Sequence, residues 1–269
     1  TQVGKHEVTI TAKVAQGEKI ETLTQTLNVN VISYSELNYR AKTENSNANW
    51  NKVFEYTPAP GQFINELKTG GFDGSQTTPQ AAVVYAENRL SAGNWVSLGG
   101  FGGYIVVGFD HSIDNTDNYD FAVVGNSFSG SSEPGIVWVM QDENGDGLPN
   151  DNWYELLGSD TESASTIKNY AVTYYRPSGE QMSVQWTDNQ GNSGKIDYLK
   201  TFHNQDFYYP NWINEMSYTL RGTRLTAHNY DKSGNGSNWI LPEYDWGYVD
   251  NFSSTDRTST NSKANRFDI

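Results

Sequence analysis

The residues best placed to do chemistry lie in one short run, Asp142-Glu143-Asn144-Gly145-Asp146-Gly147-Leu148-Pro149-Asn150-Asp151. Oxygen-bearing side chains fall at positions 1, 3 and 5 of the run and glycine at position 6, the spacing of calcium loops of the EF-hand type. A hard cation takes about 6–8 oxygen ligands. Alternate positions turn Asp142, Asn144 and Asp146 inward, Gly147 permits the sharp turn, and the Leu148 carbonyl supplies the position 7 ligand. Asp151 is the natural closing carboxylate. Position 12 is Trp153 instead of a bidentate glutamate, so Asp151 or Glu155 must complete the shell. With strands expected on both flanks, the reading is a structural Ca2+ that pins a loop, not a switching sensor. A solvated acidic turn is the plain alternative.

A second group of residues could bind rather than react. His203, Phe207, Tyr208, Tyr209, Trp212, Trp239, Tyr244 and Trp246 are separated by Gly, Asn, Ser and Pro, which suggests loops. Binding residues concentrate on loops carried by a rigid scaffold. Aromatic faces stack on sugars or planar macrocycles while Asn and Asp fix orientation. Trp and Tyr are also ordinary core residues, and about half of this set is expected to be core.

No catalytic constellation stands out. Glycoside hydrolysis needs two carboxylates flanking the scissile bond, and no Asp or Glu lies in a context that marks it as such an acid. The histidines His6, His111, His203 and His228 lack the paired spacing of a zinc site. Ser97-Leu98-Gly99-Gly100-Phe101-Gly102-Gly103 has no P-loop lysine and precedes a strand, so its glycines read as a tight turn or close backbone packing. The expectation is a binding protein, not an enzyme.

The elements that must hold these residues are strands. Aromatics make up 13% of the 269 residues, with 25 Gly between them, a mixture that favours strands over helices. Period-2 runs at His6–Val14 and Thr22–Val31, with Gln16-Gly17-Glu18 between, predict a hairpin. Residues 1–33 read as the last strands of an immunoglobulin-like, PKD-type domain; a hairpin belonging to the main domain is the alternative. Residues 34–269 read as an all-β module, a β-sandwich or jelly roll, with strands expected at 53–56, 104–109, 120–125, 135–140, 170–175, 182–186, 218–220 and 224–230. Gln80–Leu90 is the best helix candidate, opened by Thr78-Pro79. Arg266–Ile269 reads as the entrance to another element.

Bulk properties narrow the partners. The net charge of −14 repels phosphate backbones, so nucleic acid and polybasic membrane binding are not expected. There is no cysteine, which excludes disulfides and thiolate chemistry. No apolar run approaches the length of a membrane helix.

Three joined stretches carry a family resemblance: Gly102–Asp110, Asp120–Phe128, and Glu133–Val139 running through Asp142–Asp151 into Trp153-Tyr154-Glu155-Leu156. Over residues 50–269 the chain resembles outer-surface lipoproteins of Bacteroidetes, in which a PKD-like domain often precedes this module. Some of these are similar to proteins that capture cobalamin for an outer-membrane transporter. The resemblance implies an extracellular address and a cobalamin or other corrinoid ligand. A carbohydrate-binding module and a calcium-stabilised structural or adhesion domain remain the alternatives.

Overall fold

The computed structural model describes residues 3–16, 19–31, 38–68 and 70–269. The fold is all-β with one well-formed helix among the described residues. Strands β1 (Gly4–Gln16) and β2 (Lys19–Val31) form the expected hairpin in register from Gly4↔Val31 to Gln16↔Lys19. Gly17, Glu18 and the boundary at Ser33 lie outside the described residues. Partners across an antiparallel ladder share a face. Val8, Ile10, Leu23, Leu27 and Val29 therefore line one face, and all are exposed. Among the described residues the ribbon pairs with no other strand.

The next elements build a first core. Strand β3 (Lys52–Thr57) pairs antiparallel with β4 (Tyr104–Gly108). Helix α1 (Pro79–Ser91) begins as read: Thr78 is extended, its hydroxyl accepts from the Ala81 amide at 3.2 Å, and Pro79 occupies the first turn, where no amide donor is missed. Ala82, Tyr85 and Ala86 share a helix face and pack on Val53, Tyr56, Ile64, Phe72 and Trp212.

A second core is built on the only large sheet among the described residues. Its order is β10 (Ser193–Ile196), β9 (Val184–Asp188), β8 (Ile167–Tyr175), β11 (Ser217–Arg224), all antiparallel. Tyr170, Val172, Tyr174, Val184 and Leu220 gather there with Tyr208 and Tyr209. The glycine-rich loop before β4 lies against this sheet: the Tyr174 hydroxyl donates to the Phe101 carbonyl at 2.9 Å. A Cβ on Gly99 or Gly103 would overlap the carbonyl oxygens of Ala59 or Leu98, so close backbone packing accounts for those two glycines.

Short two-stranded sheets complete the fold: β5 (Phe121–Val124) with β14 (Ala264–Phe267), β6 (Trp138–Met140) with β7 (Trp153–Glu155), and β12 (Tyr230–Asp231) with β13 (Trp239–Ile240). Two expectations change. The span 224–230 is not one strand, because β11 ends at Arg224 and β12 begins only at Tyr230. Arg266-Phe267 does not lead into an element but is itself strand, hydrogen-bonded to β5. A buried polar cluster holds this last stretch. Asn251 Nδ2 donates to the Tyr244 carbonyl at 2.8 Å, Asn265 Nδ2 donates to Asp256 Oδ1 at 2.9 Å, and Asp256 Oδ2 accepts from the Gly247 amide at 2.6 Å. All three side chains are at most 1% exposed.

Candidate functional site

The loop 141–152 joins β6 to β7. Its carboxylates and amides accept backbone donors in an ordered series. Asp142 accepts from Gly145 at 2.8 Å and Gly147 at 3.0 Å, Asn144 from Asp146 at 2.8 Å, and Asp146 from Leu148 at 2.8 Å. Gly145 and Gly147 have φ of 75° and 73°, which a Cβ disfavours. Asp151 accepts from the Glu143 amide at 2.9 Å and so closes the loop on itself. Donation from the Asn150 amide, then from Leu148, lowers the Asp146 pKa. These oxygens suit a hard cation chemically, and accepting one hydrogen bond each leaves lone pairs over. Among the described residues, however, no three His, Cys, Asp or Glu side chains gather as metal ligands do. Glu155, the alternative closing ligand, is engaged elsewhere: it pairs with Lys168 at 2.7 Å and accepts from the Thr223 hydroxyl.

The same backbone pattern recurs at Asp231–Asn238, which sequence reading missed. Asp231 accepts from Gly236 at 2.6 Å and Asn235 from Ser237 at 3.1 Å, with Gly234 and Gly236 at φ 70° and 82°. This second loop has one carboxylate, so the turn geometry arises without a set of anionic ligands. What distinguishes 142–151 is its charge.

The aromatic residues read as ligand contacts do not come together. Tyr208 and Tyr209 are fully buried in the second core, Trp212 is buried in the first, and Tyr244 is 6% exposed. Tyr209 and Trp212 reach no cavity described below, whereas Tyr208 and Tyr244 only border the main one. The segment 207–213 is a wedge between the cores, tied by Asn65, whose Nδ2 donates to the carbonyls of Phe207 at 3.0 Å and Tyr209 at 2.8 Å. Phe207, the first residue of this wedge, is half-buried. His203 Nδ1 lies 2.7 Å from Glu66 Oε1 and edge-on to Phe63. Tyr244 stacks on His228 at 4.0 Å, and His228 Nε2 lies 2.8 Å from Asp160. Trp239 and Trp246 are exposed, and neither lines the main cavity.

That cavity is a broad open trough of about 3650 Å3, lined by residues from both faces of β4 to β7 and by residues of β3, β8 and β11. Phe101, Tyr104, Trp138, Trp153 and Tyr154 line it and are each more than a third exposed. Opposite register puts Trp153 beside Met140 and Trp138 beside Glu155, so both tryptophans lie on one face of the β6–β7 pair that the acidic loop connects, and Tyr154 lies on the other. The Tyr104 hydroxyl donates to Glu55; burial, then the Glu55 contact, pushes its pKa up to about 12. The Trp138, Trp153 and Tyr154 side chains lie inside the motif stretches quoted above. Period-2 alternation alone could not tell which face of these short strands stays open.

Comparison with protein-family models finds none that matches the chain, and comparison with curated proteins finds no match either.

Proposed function

We propose that this chain is a cell-surface ligand-binding module whose trough captures a large ring-bearing ligand, cobalamin or another corrinoid, for uptake through an outer-membrane transporter. The observation that carries the reading is the trough with its exposed aromatic wall. Contiguous exposed apolar surface marks an interaction site. Tryptophan and tyrosine faces suit a flat ring system. The corrinoid identity rests on the family resemblance, and the lining supports only a large, partly apolar ligand.

Ca2+ belongs to the proposal as a structural ion of the loop 142–151, held by Asp142, Asn144, Asp146, the Leu148 carbonyl and Asp151. Bound there, it would neutralise charge on the loop and stiffen the β6–β7 pair that presents Trp138 and Trp153. The hairpin β1–β2 is taken as part of a separate immunoglobulin-like unit, which its open apolar face and the lack of other strand partners among the described residues support. Among the described residues no helix is long and apolar enough to cross a membrane.

Absorbance titration with cyanocobalamin tests the reading. Saturable spectral change in the micromolar range is expected. No change at those concentrations, with hits on a glycan array, would replace the corrinoid by a carbohydrate. Indifference to both would leave a structural or adhesion module.

A further inference from the structure

We propose that Arg224 is an oxyanion-holding residue of the trough, taking a phosphate or carboxylate group carried by the bound ligand. The inference rests on the trough being the ligand site, and goes beyond it by assigning the ligand a negative group and a place for it.

Arg224 closes β11 at a break in the ladder. Gly222 faces Tyr170 but Arg224 faces Ile167, and the extra residue lies on β8, where Asn169 adopts φ 53°. A bulge of this kind re-aims the side chains beside it. Here the Arg224 guanidinium lies 5.2 Å from the Phe101 ring centroid and 5.4 Å from that of Tyr170. All three residues line the trough. The two rings stand edge to face, 78° apart, and ring faces attract the cation without using its N–H donors.

Those donors have no protein acceptor among the described residues, and no carboxylate there lies within ion-pair distance of Arg224. The other well-packed arginines differ. Arg176 donates to the Ile213 carbonyl, Arg257 to those of Ser253 and Thr260, and Arg266 to that of Asp256. The nearby acids are already engaged: Glu155 by Lys168 and Thr223, Asp188 by the Tyr170 hydroxyl at 3.0 Å. A partly buried guanidinium set beside two aromatic rings, with its donors unpaired at the cavity lining, can match an oxyanion bidentately. In a chain of net charge −14 such a group is also an exception to the prevailing field.

The test follows the arginine Nε–H resonances of the 15N-labelled full chain during titration with inorganic phosphate, and separately with acetate, against a chloride control. Loss of one resonance in Arg224→Gln assigns it. A saturable shift of Arg224 with phosphate or acetate, while exposed Arg221 moves only as it does in chloride, supports the site; whichever anion saturates first names the group. If Arg224 moves no more than Arg221, the inference is overturned. A second arm compares ligands. Cyanocobalamin, which carries a phosphodiester, should bind Arg224→Gln about tenfold more weakly than wild type, with partial loss in Arg224→Lys. Dicyanocobinamide, which lacks that phosphate, should bind both alike. Equal cyanocobalamin binding by wild type and Arg224→Gln would sink the inference and leave the corrinoid reading standing. A saturable phosphate shift with no cyanocobalamin binding would sink only the corrinoid reading.

Discussion

Tyr85 and Tyr209 keep their protons far into alkaline solution, because burial pushes both pKa values up to about 12. In the unfolded chain tyrosine ionises near pH 10. A raised folded value means stability is intact below about pH 10 and falls as pH rises toward 12. Alkaline unfolding is therefore expected within that window, with these phenols ionising together with loss of structure. Absorbance at 295 nm against near-ultraviolet circular dichroism checks this; early, non-cooperative ionisation of every tyrosine would contradict it. The acidic loop makes the opposite kind of demand, since Asp142, Glu143, Asp146 and Asp151 put four carboxylates into ten residues. EDTA is expected to lower the melting temperature and added calcium to restore it, and Asp142→Asn should abolish the difference. An unchanged melt after verified metal removal would rule out a stabilising ion.

Among the elements, the wedge 207–213 and the strand pair β13–β12 make a sharp contrast. Tyr208→Ala should destabilise by about 3–5 kcal/mol, because it empties a fully buried site. Trp239→Ala, at 52% exposure, should change stability by about 0.5 kcal/mol or less. Urea denaturation of the two variants measures both. Asn265→Ala breaks the polar cluster and leaves Asp256 short of a donor, with an expected loss of about 1–3 kcal/mol. The sequence made the hairpin, helix α1 with its Thr78 cap, and the apolar strands β4, β5 and β8 legible, because each satisfies its own periodicity. It did not make the role of 207–213 legible. A run of aromatics between turn residues looks the same whether it faces solvent or joins two cores, and only long-range partners such as Asn65 decide. The two- to four-residue strands β7, β10, β12 and β13 are too short to show a period at all. Position 12 of the acidic loop was legible as a departure, but Glu155's engagement with Lys168 depended on tertiary placement.

At the scale of the whole molecule, the two cores meet at the wedge 207–213, and the residues that would meet a ligand come from elements far apart in sequence. Trp138 and Trp153 flank the loop, while Phe101 and Arg224 approach from the glycine-rich loop and the edge of the large sheet. Trp138→Ala should therefore weaken cyanocobalamin binding by about tenfold while shifting the melting temperature little, since the residue is 41% exposed. Calcium removal should weaken binding as well, because the loop spaces the two strands that carry the tryptophans. Titrations with and without EDTA read out that coupling directly; equal affinities would mean that the loop and the trough are independent.

The pairing of β5 with β14 has a consequence for how the chain acquires its shape. Phe121 must wait for Phe267, 146 residues later by their numbers, before its ladder can close. At synthesis rates of about 5–20 residues per second that interval is roughly 7 to 30 s. Throughout it the edge of β5 offers unpaired amides and carbonyls to any neighbouring strand. Refolding should accordingly be slow, and the amides of β5 and β14 should gain hydrogen-exchange protection last and together. The vulnerable species is then the chain in which residue 121 has been made and residue 267 has not.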